Sequence, residues 1–459
     1  MSLALAALQL NRQRQGYVAS SSASSESPSL APPSSVSSLV GGYSLRDVAL
    51  GHYAAAVTAL NTHIEQHGWA ALEVTLLCSV LCITFDWLRG NHDAALAHLQ
   101  SGLNVISNWE QTWHPSRTAE WRRQTRGASI TAVGSPGGYL ISTVVRPRYA
   151  WLVMQSISLS GRDQPITPMA APARALSPAL PPSLKWPFYS AQGPMSNAFS
   201  TFGGARDALC ELLVEHFYPM QAATGRHTDG EPPSASTNRR RRLRLREMLG
   251  NWTIAFDLLV KSSQDQQNKS NETLEGGATA ATERAVAILS MWREAISVMI
   301  ETRGVKDEAA YDGYSTTYAR IVHLAEDIVR SQKAPSDNAA AANERPIAAF
   351  TADMGLVPVL YYTAIKCRHL PTRQRALALL EEYPRREGIW DGLGAAAVAR
   401  EVVQLEEKTR WSGPGAERAS EHQRIQGLRV KFDVEGRHAV MSVKQQGSEH
   451  FDNDRLISW

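Results

Sequence analysis

The chain is short of the residue types that mark several functional classes. Four cysteines in 459 residues cannot build a dense disulfide framework, which fits a reducing compartment. Neither sign of charge prevails. Lys and Arg number 47 against 44 Asp and Glu, a formal +3, so no global field draws nucleic acid or an anionic membrane, and such binding needs a local patch. No basic residues precede the apolar start MSLALAALQL; Arg12 and Arg14 follow it, the reverse of a secretory signal. The most apolar window, Trp69 to Leu88, is broken by Glu73 and Asp86, which argues against a membrane span. The phosphate-cradling pattern G-x-x-x-x-G-K-[ST] and the nucleophile elbow G-x-S-x-G are missing as well. With 43% hydrophobic and 20% charged residues the composition is globular, and the expectation is a soluble, intracellular protein.

What is present is helical spacing. Ser20 to Ser38 holds 11 serines among 19 residues, too little apolar surface to offset ordering, so residues 1–43 are expected to form a flexible tail. Order is expected from Ser44, where Ser44-Leu-Arg-Asp47 has the form of a capping box. Leu45, Val48, Ala49, Tyr53, Val57, Leu60 and Ile64 then recur on one helix face up to Gly68. A nearly all-apolar helix follows to Arg89 and stops at Gly90, and a third starts at Asn91, a good N-cap. Ala55-Ala56-Val57 and Ala94-Ala95-Leu96 echo each other, read as helix pairing rather than as a tetratricopeptide array. Further helices are expected near 205–217, 242–261, 283–301 and 311–332, from Pro358 in a first turn to about 369, from a restart at Pro371-Thr372 to a stop at Pro384, and over 388–410. Surface loops are expected at 162–205, where eight prolines interrupt the pattern, and at 264–282 and 334–346. Leu428, Val430 and Phe432, then Ala439, Met441 and Val443, alternate about Glu435-Gly436 as one β-hairpin. The predicted fold is all-α: a large helical bundle over 44–445 with a C-terminal hairpin, and a tail over 446–459.

Candidate chemistry is sparse. His63 and His67 share a helix face but lack the H-E-x-x-H order a zinc protease needs, and a wet helix end explains them as well as a metal. Cys78 and Cys82 lie one turn apart in the most apolar helix, where core thiols are common. Gly392-Leu-Gly394 imitates a dinucleotide fingerprint, but no strand is readable before it, which leaves helix packing. No catalytic residue, metal site or cofactor is assigned, and an enzyme on a helical scaffold remains the minor alternative. One charge feature is sharp. Arg239, Arg240, Arg241, Arg242, Arg244 and Arg246 put six cations in eight residues. Such a run suits a nuclear import signal or a phosphate-binding patch; the plain alternative is a solvated helix start whose Leu243, Leu245 and Leu249 take part in packing, and repulsion at the positive end of the helix dipole is expected to leave the run unwound.

The segment Arg89-Gly-Asn-His-Asp-Ala-Ala-Leu-Ala-His-Leu-Gln-Ser-Gly102, with Gly90, Asn91, His98, Leu99 and Gly102, resembles a segment of fungal transcription factors of the binuclear zinc-cluster family. Met354-Gly-Leu-Val-Pro358, Ala364-Ile-Lys-Cys367-Arg368, Arg375-Ala-Leu-Ala-Leu-Leu380 and Pro384-Arg385-Arg386-Glu387-Gly388-Ile-Trp390-Asp391 resemble the same group. Phe202-Gly-Gly-Ala-Arg206 and Glu308-Ala-Ala-Tyr-Asp312 link the blocks, so the likeness runs from about Ser44 to Val443. It implies a nuclear regulator of transcription with a helical regulatory domain, beside fungal metabolic or secondary-metabolite genes. The family's zinc module needs six cysteines near the N-terminus. Here there are four, none before Cys78, so no zinc ligand carries over. The expectation is regulation through protein partners or a small-molecule effector, without sequence-specific DNA contact of its own. A helical scaffold with no regulatory activity is the alternative. Arg385, Arg386, Glu387 and Asp391 read as a self-paired helix cap or, alternatively, as a ligand or partner surface, with Ile389 and Trp390 in the core.

Overall fold

The structure, a computed structural model, describes residues 39–40, 43–113, 141–160, 198–217, 235–269, 276–305, 307–332, 349–410, 424–434 and 436–459. The serine-rich segment, most of the proline-rich loop and the spacer 334–346 lie outside them. The fold is all-α with small sheets. Contacts divide the chain into two units where the sequence reads as one domain: Met1–Leu152 with Ala175–Leu184 and Ala340–Ala352, and the remainder. The first boundary falls between Leu152 and Val153, inside a helix, where no change in composition marks it.

In the first unit Leu39–Val40 (β1) pairs antiparallel with Tyr43–Ser44 (β2), so order begins before Ser44. The pair flanks Gly41-Gly42, a hairpin signal that the serine-rich surroundings conceal. Leu45–His67 (α1), a 3₁₀ turn at Gly68–Ala71, Leu72–Arg89 (α2) and His92–Trp113 (α3) follow. Gly90 ends α2 with φ 77°, a left-handed conformation that costs glycine little, and its N–H caps the carbonyls of Asp86 and Trp87. Asn91 starts α3 as expected: its Oδ1 accepts from Ala94 N–H at 3.3 Å. Leu76, Ile83, Phe85 and Trp87 of α2 are fully buried, and Ala95, Leu99, Leu103 and Ile106 form the buried stripe of α3. The helical run Leu45–Arg89 is long and apolar enough by composition to cross a membrane; Phe85 and Trp87 at its C-terminal end are buried against protein, while Trp69, Val74 and Leu77 are exposed. Arg146–Ser160 (α4) follows a π-helical turn, and its residues to Leu152 belong to this unit. The hydroxyl end of Tyr149 lies against Gly102, where a Cβ would overlap it. Ala349–Thr351 (β3) brings Phe350 against the cluster Ala49, Phe85 and Leu88.

The second unit holds Phe202–Phe217 (α5), Ala235–Lys269 (α6), Gly276–Glu301 (α7), a 3₁₀ turn at Glu308–Tyr314, and Ser315–Gln332 (α8). Val357–Lys366 (α9) and Leu370–Glu382 (α10) each carry proline in the first turn, where a missing N–H costs nothing. Arg385–Glu387 (β4) pairs with Trp390–Asp391 (β5), leading into Gly392–Arg410 (α11). Ile425–Asp433 (β6) and His438–Gln445 (β7) form the expected hairpin.

Five expectations differ from the structure. The arginine run is helical, because α6 begins at Ala235 and ends at Lys269; together with α7 from Gly276 this shrinks the 264–282 loop. Helix α5 starts at Phe202, inside the proline-rich loop. The segment from Gly388 opens as a turn, with φ 58° at Gly388, because the flanking residues pair as strands before α11 begins. The 446–459 tail carries a third strand, Arg455–Ser458 (β8), paired with β7, and Trp459 packs edge-on against Phe432 at 5.8 Å.

Two glycine substitutions separate packing from propensity. Gly102→Ala is expected to lower stability by about 1–3 kcal/mol through overlap with Tyr149. Gly51→Ala, exposed in α1 with open space around it, is expected to raise stability by roughly 0.5–1 kcal/mol. Urea unfolding of both variants checks the pair.

Candidate functional site

The arginine run has two faces, set by the helix that carries it. Arg241 donates to the carbonyl of Glu215, and Arg303 donates to that of His216, both in the last turn of α5. Arg242 donates to the carbonyl of Arg303, just past α7, at 2.9 Å, and Arg246 pairs with Glu301 in the last turn of α7. Arg241 and Arg242 therefore bind carbonyls at or just past the C-terminal ends of two helices, where unpaired carbonyls and the negative end of the dipole favour cations, and Arg246 pairs with a carboxylate there. These caps explain why the run is wound despite its repulsion. Burial and the nearby Arg241 push Arg303 down to about 10, and burial raises the Glu215 carboxyl. Arg239, Arg240 and Arg244 stay on the exposed side of α6.

The residues of the C-terminal resemblance gather into a buried ionic network. Lys366, fully buried, holds both oxygens of Glu308 at 2.7 Å and lies over the Tyr311 ring at 4.4 Å. Arg368 bridges Glu308 at 3.4 Å and Glu406 at 3.1 Å, and Arg373 meets Glu406 at 2.8 Å while donating to the Ala364 carbonyl. Glu406 also accepts from Ile425 N–H at 3.0 Å, joining α11 to β6. Three cations face two carboxylates here, and burial pushes the Lys366 ammonium down to about 8 against the pull of Glu308. Cys367 is buried beside this network with its thiol raised by burial.

Glu387 is 1% exposed and does the work of an N-cap for another helix. Its carboxylate accepts from Leu356 N–H at 2.9 Å and Val357 N–H at 2.7 Å, at the start of α9, and lies against Gly355, where a side chain would displace it. Burial raises this carboxyl, and the two N–H bonds and Arg385 pull it back. Asp391 does cap its own helix, accepting from Gly394 N–H at 2.8 Å, and lies 3.8 Å from Arg386 Nε. Gly388 leaves room for Gln155, whose Oε1 accepts from Ile389 N–H at 3.2 Å. Trp390 is buried against Tyr361 at 5.3 Å.

In the first unit the resemblance residues again meet polar partners. The Tyr53 hydroxyl donates to Asp86 at 3.2 Å and lies 2.8 Å from His98 Nε2, and Arg89 is 3.5 Å from the same carboxylate. Burial raises Asp86, with His98, Tyr53 and Arg89 opposing. His67 Nδ1 meets the His63 carbonyl at 2.9 Å, and burial pushes the Cys82 thiol up to about 11. Among the described residues no three His, Cys, Asp or Glu side chains are placed to hold a metal ion. Sequence reasoning missed Tyr53, Asp86, Arg303, Arg373 and Glu406. For Tyr53 and Asp86 the signal available was a hydroxyl or charged residue at an otherwise apolar helix position; Arg303, Arg373 and Glu406 lie in polar stretches that carry no such signal.

A stretch of 98 residues is 36% identical to the aspercryptin biosynthesis cluster-specific transcription regulator of Emericella nidulans. It covers 20% of this chain and spans 16% of the length of that regulator. No protein-family model matches the chain, and no solved structure matches it.

Arg241→Ala is expected to cost about 1–3 kcal/mol by leaving the end of α5 uncapped, whereas Arg239→Ala stays within about 0.5 kcal/mol; urea midpoints compare them. Lys366 binds its proton less tightly folded, at about 8, than unfolded, at roughly 10.4. Between those values the unfolded chain holds more protons, so this group's contribution to stability rises with pH. The thermal midpoint of the wild type is expected to gain on that of the Glu308→Gln, Lys366→Met double variant across this window.

Proposed function

We propose that the protein is a regulator of transcription, acting in the nucleus on a fungal metabolic or secondary-metabolite gene set. The observation that carries this reading is the 98-residue likeness to a cluster-specific transcription regulator. The exposed Arg239, Arg240 and Arg244 support it as the side of the run open to an import receptor. The four cysteines, three of them buried, supply no zinc cluster to this chain, so regulation passes through protein partners or a small-molecule effector. The resemblance residues Cys367, Arg368, Arg386, Glu387 and Asp391 then serve the helical body rather than a catalytic centre.

A fluorescently tagged full chain is expected to concentrate in fungal nuclei, and Arg239→Glu with Arg240→Glu to move it to the cytosol with an unchanged melting temperature. Deleting the gene is expected to change the transcripts of a clustered gene set. Exclusion of the wild type from nuclei, together with an unaltered transcript profile, overturns the reading in favour of a helical scaffold without regulatory activity.

A further inference from the structure

We propose that the outward face of α6 is a docking site for an acidic amphipathic helix of a partner protein. Helix α6 has one buried face, formed by Leu245, Leu249, Trp252, Phe256 and Leu259. On the opposite face Leu243, Ile254 and Leu258 are 53%, 63% and 53% exposed, although each would gain from leaving water. Ile254 and Leu258, one turn apart, form an apolar patch, and Leu243 lies about three turns N-terminal on the same face, with the exposed Glu247 and Gly250 between them. Gly250 sits between them with nothing within 4 Å of a Cβ built there, which allows a second backbone to approach closely.

Charge decides the occupant. Arg239 and Arg240 lie one turn before Leu243 at the N-terminal end of this face, against one acid there, Glu247. Beneath them Arg242 and Arg303 are held by carbonyl oxygens, which accept hydrogen bonds without cancelling the charge. That end is therefore positive in a chain whose formal charge is only +3. A helix with an apolar stripe and glutamates at one end matches both features. A nucleic acid matches only the first, since phosphates gain nothing from Ile254 and Leu258 and meet Asp257 along the same helix. This docking does not depend on where in the cell the chain acts.

The test uses the full chain and a fluorescein-labelled synthetic helix of about 18 residues, with leucines at i, i+4, i+7 and i+11 and glutamates clustered at one end. Saturable anisotropy is expected, weakened about tenfold or more by Ile254→Asp with Leu258→Asp and, separately, by Arg239→Glu with Arg240→Glu. These side chains are exposed, so melting temperatures should hold; Ile254→Ser with Leu258→Ser replaces the first pair if it does not fold. A scrambled peptide of the same composition should not saturate. Unchanged affinity in either variant pair overturns the proposal, as does displacement of the peptide by duplex DNA. Self-association abolished by the apolar pair overturns it too, assigning the face to a second copy. The apolar pair leaves the arginines intact and is expected to leave nuclear accumulation unchanged, so failure of docking and failure of the regulator reading are separable.

Discussion

A carboxylate taken out of water must find its solvation inside the protein, and in the second unit three of them decide how helices meet. Glu387 accepts the N–H groups of Leu356 and Val357, Glu308 holds Lys366, and Glu406 gathers Arg368, Arg373 and Ile425 N–H. Each is worth little net, because desolvation offsets much of the attraction, but losing one partner leaves a buried charge unpaired. That asymmetry ties β4, the 3₁₀ turn at Glu308, α9, α10, α11 and β6 to a single arrangement.

The same rule runs with the opposite sign at the arginine run. A row of cations at the start of a helix repels itself and opposes the helix dipole. Here the C-terminal carbonyls of α5 and the end of α7 supply negative partial charge, and Glu301 a full one. The run is thereby divided into residues that hold the fold and residues that face outward. Arg241 and Arg240 are neighbours in sequence with different work, and only the position of α5 separates them.

The block Pro384 to Asp391 shows how a local reading goes half right. Its residues do cap helices, but Glu387 caps α9, about thirty residues earlier in the chain, and the segment is a tight strand pair rather than a helix start. Gly102 and Gly388 have a similar history: each is small because Tyr149 or Gln155 occupies the space beside it. Their partners are other parts of the same chain.

Helix positions, the caps at Gly90 and Asn91, the proline starts of α9 and α10, and the β6–β7 hairpin were legible in sequence because each depends on residues within a turn or two of one another. Composition likewise exposed the arginine run. Tertiary structure alone decided which arginines are caps, that Lys366 is a buried cation, that Tyr53, Asp86 and His98 meet, and that the last residues form a strand. Those outcomes are set by groups 12 to 87 positions away, and a periodicity of 3.6 or 2 carries no information over such distances.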